Sequence, residues 1–101
     1  MNREFLRRAQ DLQRQLTKAQ EALANETVEA SVGGGVVTIV MDGQQNVRSV
    51  HISPEAVDPE AVDVLEDLIT AAIAQAIDKS RELASKKLGG MAGGLGLPGM
   101  P

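Results

Sequence analysis

In the first 25 residues a run of apolar positions, Phe5, Ala9, Leu12, Leu16, Ala19 and Leu23, is spaced alternately by four and three. That spacing is the seam of a coiled-coil-like helix. The positions between are mostly Arg, Gln, Asp, Glu and Lys, which tolerate an exposed helix surface. A helix over residues 2–25 is roughly 36 Å long, more than the short strands that follow it. Part of it should overhang, as a free arm or against another helix. The plainer reading, an amphipathic helix packed wholly on its own domain, fits so narrow a stripe less well.

After Asn25 the period changes from helical to two. Val28, Ala30 and Val32 alternate with Glu29 and Ser31, which predicts a half-buried strand. Gly33-Gly34-Gly35 turns the chain into the longest apolar run, Val36 to Met41, which Asp42-Gly43 stops. Val37, Ile39 and Met41 point one way. Val36 and Val40 point the other, with Thr38 the only polar residue among them. A strand apolar on both faces needs cover on both, and one later helix can cover only one. The second face, Val36, Thr38 and Val40, is therefore expected to meet another copy of the chain. A loop over residues 42–46 leads to a third strand, Val47 to Ile52, as a hairpin.

Ser53-Pro54 and Asp58-Pro59 each put a capping residue before a proline suited to a first helical turn. The first predicts a short turn and the second the main C-terminal helix. In that helix Val62, Leu65, Ile69, Ala72, Ile73, Ala76 and Ile77 make a stripe wide enough to face a sheet. Gly89 is the expected stop, and residues 89–101, all Gly, Met, Ala, Leu and Pro, read as a flexible tail. The order is helix, three antiparallel strands, helix, an α+β arrangement in one domain over residues 1–88.

Composition sharpens this picture in two ways. Phe5 is the only aromatic residue in 101, so the core must be built from Val, Leu, Ile and Met. Such a thin core favours association of copies. There is no cysteine, which excludes disulfides and thiolate metal sites. The charged N-terminal segment lacks the apolar stretch of a signal peptide, and no apolar run is long enough to span a bilayer. A soluble cytoplasmic protein with no membrane partner is expected.

The formal net charge is -4, but its distribution matters more than its sum. Residues 1–20 carry Arg3, Arg7, Arg8, Arg14 and Lys18 against Glu4 and Asp11. Residues 55–67 hold Glu55, Asp58, Glu60, Asp63, Glu66 and Asp67 with no basic residue. Residues 79–88 return to basic, with Lys79, Arg81, Lys86 and Lys87 against Glu82. The acidic set lacks a calcium-loop pattern and a histidine partner. Acid in the first turns of a helix is ordinary dipole matching. Gly33-Gly34-Gly35 precedes a strand and no Lys-Ser/Thr follows, so it is a turn and not a phosphate loop.

Catalysis finds no support. His51, the only histidine, lies on the third strand, and the sequence gives it no partner within hydrogen-bond reach. No catalytic residue, metal site, cofactor or small-molecule substrate is expected. The basic residues point elsewhere. Arg3, Arg7, Arg14 and Lys18 lie along one side of the first helix, with Arg8 beside the row. Arg forks and Lys ammonium groups so arranged suit a line of phosphates. Without interleaved aromatics, stacking on single strands is disfavoured. A solvated helix flank balanced by acids explains the same residues equally well from the sequence alone.

The chain resembles the YbaB/EbfC family of bacterial nucleoid-associated proteins over nearly its whole length. The resemblance lies in Lys18-Ala19-Gln20-Glu21-Ala22-Leu23, the Gly33–Gly43 strand segment, Asp58-Pro59-Glu60 with Leu65-Glu66-Asp67-Leu68-Ile69-Thr70-Ala71-Ala72, and Met91 to Met100. All occur in order in a chain of family length. The resemblance implies a tweezer-like homodimer with helical arms, binding to double-stranded DNA, and a role in nucleoid organisation and gene expression. Two departures stand out. Val40 occupies a position expected to be polar, and Arg3, Arg7 and Arg8 replace the Met, Lys or Gln of many members, making the arm more basic. The expected DNA-binding residues are Arg3, Arg7, Arg8, Arg14 and Lys18, joined by Lys79, Arg81, Lys86 and Lys87 if the two helix ends lie together. The competing expectation is a non-enzymatic adaptor whose exposed helical seam docks a partner protein.

Overall fold

The computed structural model describes residues 2–94. Helix α1 runs Arg3–Asn25, strands β1 Thr27–Val32, β2 Val37–Asp42 and β3 Val47–Ile52, and helix α2 Val62–Gly94. A short 3-10 turn over Pro54–Ala56 lies between β3 and α2. The three strands form one antiparallel sheet in the order β1-β2-β3, so the helix–strands–helix order expected from the sequence is the one observed.

Each boundary has a local cause. The side chain of Asn2 accepts the Glu4 N–H at 2.9 Å and opens α1. Gly33, Gly34 and Gly35 all have positive φ, from 65° to 97°, a run that side-chain-bearing residues adopt only with strain. Those three residues reverse the chain between β1 and β2.

Two helix ends differ from expectation. Asp58 does cap, its Oδ1 accepting the Glu60 N–H at 3.0 Å. The result is one separate turn closed by Ala61 N–H to Asp58 O, and α2 begins three residues after Pro59, at Val62. At the other end α2 passes Gly89 and continues to Gly94. Glycine is permitted in a helix at a cost of about 1 kcal/mol, so its presence alone does not end one. The rest of the expected tail lies outside the described residues.

The core lies between α2 and one face of the sheet. Ala30, Val37, Ile39 and Met41 from the strands meet Ala72 and Ala76 from α2, all nearly or fully buried. The two alanines let the helix axis approach the sheet closely. Val28, Val32, Val36, Leu65, Leu68, Ile69 and Ile77 pack around them. The alternation Val37-Ile39-Met41 toward the core is thus as expected. Val36, however, lies in the turn before β2 and packs with the core group. Thr38 and Val40 are half-buried on the opposite face, and their strand partners there are Ser31, His51, Glu29 and Ser49. That face is more polar than the sequence of β2 by itself suggests.

α1 stays largely outside this core. Only Leu23 is buried, and the molecule measures 70 × 25 × 17 Å with a radius of gyration of 19.2 Å. A compact domain of this length has about 13 Å. The seam residues Leu12, Leu16 and Ala19 are half-buried, while Phe5 is 64% exposed. The overhang expected from helix length is therefore real, and it is the N-terminal half of α1 that overhangs.

Candidate nucleic-acid interface

The arm is fixed at its root by main-chain groups. Gly43 N–H donates to Leu23 O at 2.8 Å and to Glu26 O at 3.0 Å. Gln44 Nε2 donates to Gln20 O and Arg48 to Ala24 O, at 2.9 and 2.6 Å. A Cβ on Gly43 would stand 2.8 Å from both Leu23 Cδ2 and Leu23 O. Only glycine allows the hairpin loop to touch the helix end so closely.

Asp42 organises that loop from within. Its side chain is 1% exposed, and Oδ1 accepts the N–H groups of Gln44 and Asn46 at 2.8 and 3.0 Å. Oδ2 accepts Arg48 Nε at 3.2 Å, and the Ser80 hydroxyl of α2 donates to the Asp42 carbonyl at 2.8 Å. The carboxyl is held below its usual range, first by the Asn46 N–H; burial opposes this, and Gln44, the Asn46 amide and Arg48 add to it. A charged carboxylate with this many donors keeps its charge. Hairpin, arm and α2 therefore meet at one acid.

From this root the arm presents its cations. Arg3, Arg7, Arg8, Arg14 and Lys18 are all exposed. Arg14 pairs with Asp11 at 3.4 Å, both side chains more than half exposed, a contact of little energy. Arg3, Arg7, Arg8 and Lys18 have no ion-pair partner among the described residues. Arg8 differs from the row in its setting. It lines a shallow hollow of about 380 Å³ with Phe5, Ala9 and Leu12, so it flanks the apolar seam.

The second basic group is only partly available. Lys87 Nζ reaches Glu26 Oε1, at the C-terminal cap of α1, at 2.6 Å. That contact occupies Lys87. Lys79 donates to the Glu29 carbonyl at 2.7 Å. Lys86 and Lys79 share an open hollow of about 350 Å³ with Glu29 and Glu82, which offset their field. Arg81 is exposed and has no ion-pair partner among the described residues.

Sequence reading missed Arg48 and Asp42. Asp-Gly marked the hairpin, but nothing in the spacing showed that the aspartate would be buried. Nor did it show that Arg48, on the third strand, would turn inward to hold it. No group of three or more His, Asp or Glu able to hold a metal ion occurs among the described residues. None of their helices is long and apolar enough to cross a membrane.

Fold and surface together define a small α+β domain that projects a basic helix from a main-chain-fixed root, an arrangement suited to a polyanion. Residues 1–95 match the model of the YbaB/EbfC DNA-binding family, and the chain belongs to that family. It is 45% identical over 97 residues to a protein of Ruminiclostridium cellulolyticum named nucleoid-associated protein, covering 95% of this chain and 84% of that one. A Syntrophobacter fumaroxidans protein of the same name is 44% identical over 102 residues, covering 99% and 93%. In fold the chain is similar to a crystal structure of an uncharacterized Helicobacter pylori protein. The TM-score is 0.78 at 15% identity, over 91% of this chain and 98% of that one.

Proposed function

We propose that the protein is a non-enzymatic, nucleoid-associated protein that binds duplex DNA as a homodimer and contributes to nucleoid organisation and gene expression. Family membership supports the DNA partner. The observation that carries the mode of binding is the exposed side of α1, where Arg3 and Arg7 on the overhanging half and Lys18 nearer the root stand in one row without ion-pair partners among the described residues. Cations held on a rigid helix and left unpaired are available to phosphates. Arg14 adds to them, because its exposed pair with Asp11 is easily exchanged for a phosphate contact. Two arms from one dimer would flank a single duplex, with backbone contacts supplying affinity and little base information.

Gel-shift titration over a salt series tests this reading. Affinity is expected to fall steeply with salt and to vary little among duplex sequences. Replacing Arg3, Arg7 and Lys18 by Gln removes up to six contacts per dimer and should flatten the log-log slope by up to about 5. One feature favours a second reading, an adaptor that docks a partner helix: Phe5 and Leu6 are 64% and 50% exposed on the same arm. Unchanged affinity and slope in the triple variant would leave the arm to that role.

A further inference from the structure

The apolar seam of α1 is covered at its root and open at its tip. Leu12, Leu16 and Ala19 are half-buried, while residues 2–11 are all exposed. Phe5, the sole aromatic side chain of the molecule, is 64% exposed. It lines the hollow of about 380 Å³ with Arg8, Ala9 and Leu12, all of them residues of α1. The cation row lies elsewhere. Arg3, Arg7, Arg14 and Lys18 stand roughly 120–180° around the helix from Phe5 and Leu12. A segment seated in the hollow would leave that row untouched.

The direction of α2 brings such a segment within reach. Leu68 stands beside Gly33, Lys79 reaches the Glu29 carbonyl, and Lys87 reaches Glu26 at the cap of α1. As numbers rise along α2, those of its partners fall. The helix thus runs antiparallel to β1 and toward α1, against which it packs. From Lys87 to the end of α2 at Gly94 is roughly 10 Å. The chain continues as Leu95-Gly96-Leu97-Pro98-Gly99-Met100-Pro101. A proline pushes the residue before it out of helical conformation, so Pro98 favours an extended Leu97. At about 3.1 Å per extended residue, Leu95, Leu97 and Met100 come roughly 14, 20 and 29 Å beyond Lys87. Measured back from Glu26 along α1, Leu16, Leu12 and Phe5 lie at roughly 15, 21 and 32 Å.

We infer that residues 95–101, which lie outside the described structure, brace the arm of their own chain by lying along the α1 seam, with Leu97 beside Leu12 and Met100 in the hollow at Phe5. Reach, apolar spacing and neutrality select this occupant. The three large apolar residues match three apolar heights on the seam. No charged residue follows Lys87, so the segment can lie beside Arg8 without competing for phosphates. The brace gives cover to the first turns of α1, which as an isolated stretch of this length would be marginally helical in water. It also withdraws the seam from the partner helix of the adaptor reading. The inference goes beyond DNA binding and does not rest on it.

The chain has no cysteine, which permits a direct test in the full-length protein. Leu12→Cys with Leu97→Cys should oxidise to an intrachain disulfide, since the two Cα atoms would stand within bridging range. On a non-reducing denaturing gel the product keeps single-chain mass and runs faster. Gln10→Cys with Leu97→Cys places the first thiol on the other side of the helix at nearly the same height, and should stay reduced. Equal oxidation of the two pairs overturns the brace, and so does a Leu12–Leu97 link between chains, which would seat the segment of another copy in the seam. Hydrogen exchange gives a second readout. Leu95→Ser, Leu97→Ser and Met100→Ser together should speed amide exchange at residues 7–12 about tenfold and leave that of Ala72 and Ala76 unchanged. Unaltered exchange at residues 7–12 overturns the brace and returns the seam to a partner protein. Neither readout involves DNA, so the salt series and these measurements can fail independently.

Discussion

At the scale of single residues, Asp42 and Gly43 do more than their place in a hairpin suggests. The folded state holds the Asp42 carboxyl below its unfolded value. Its contribution is therefore complete above the ordinary carboxylate range and is lost as pH falls through the depressed folded value. Urea midpoints measured from pH 7 down to pH 2.5 should fall in the wild type at the acidic end. In Asp42→Asn the dependence should be shallower and the midpoint at neutral pH lower, since an amide cannot accept from as many donors. Gly43→Ala tests the neighbouring position. Its methyl would meet the Leu23 carbonyl at 2.8 Å, and overpacking of this kind costs about 1–3 kcal/mol. A melting temperature equal to that of the wild type would show that the arm root gives way freely.

Among the elements, α2 has the most specific requirement, because Ala72 and Ala76 bring it onto the sheet. Ala76→Leu should destabilise by about 1–3 kcal/mol in chemical denaturation. Ser80→Ala, which removes the hydroxyl bond to the Asp42 carbonyl, should cost about 1 kcal/mol. The elements themselves were legible: period four-three for α1, period two for the strands, and a broad stripe for α2. What the sequence left open followed from packing. The stripe of α2 gives the face of the helix but not the breadth of sheet beneath it, so Val62 and Ile73 read as core and emerge half in water. Likewise Val36 follows the alternation of β2 on paper, but it sits in the turn and folds back toward the core group. Lys79 and Lys87 read as free cations, and each has a partner that only tertiary structure supplies.

Over the whole molecule, charge is ordered along the chain's length. The arm is basic, and the turn and first helical turns before Leu68 are acidic. Association with duplex DNA should accordingly be faster at low ionic strength, and the Arg3, Arg7 and Lys18 variant should lose that acceleration in stopped-flow measurements. The arm also acts as a lever. Its root is gripped by the backbone N–H of Gly43 and the side chains of Gln44 and Arg48, while its 23 residues extend about 35 Å. A tilt of about 10° at the root carries the tip roughly 6 Å, comparable to the step between successive phosphates on one strand. A bond length altered by a fraction of an ångström at Gly43 is thereby converted into a change of reach at Arg3, so the span between two arms is set at the hairpin, far from the nucleic acid it would grip.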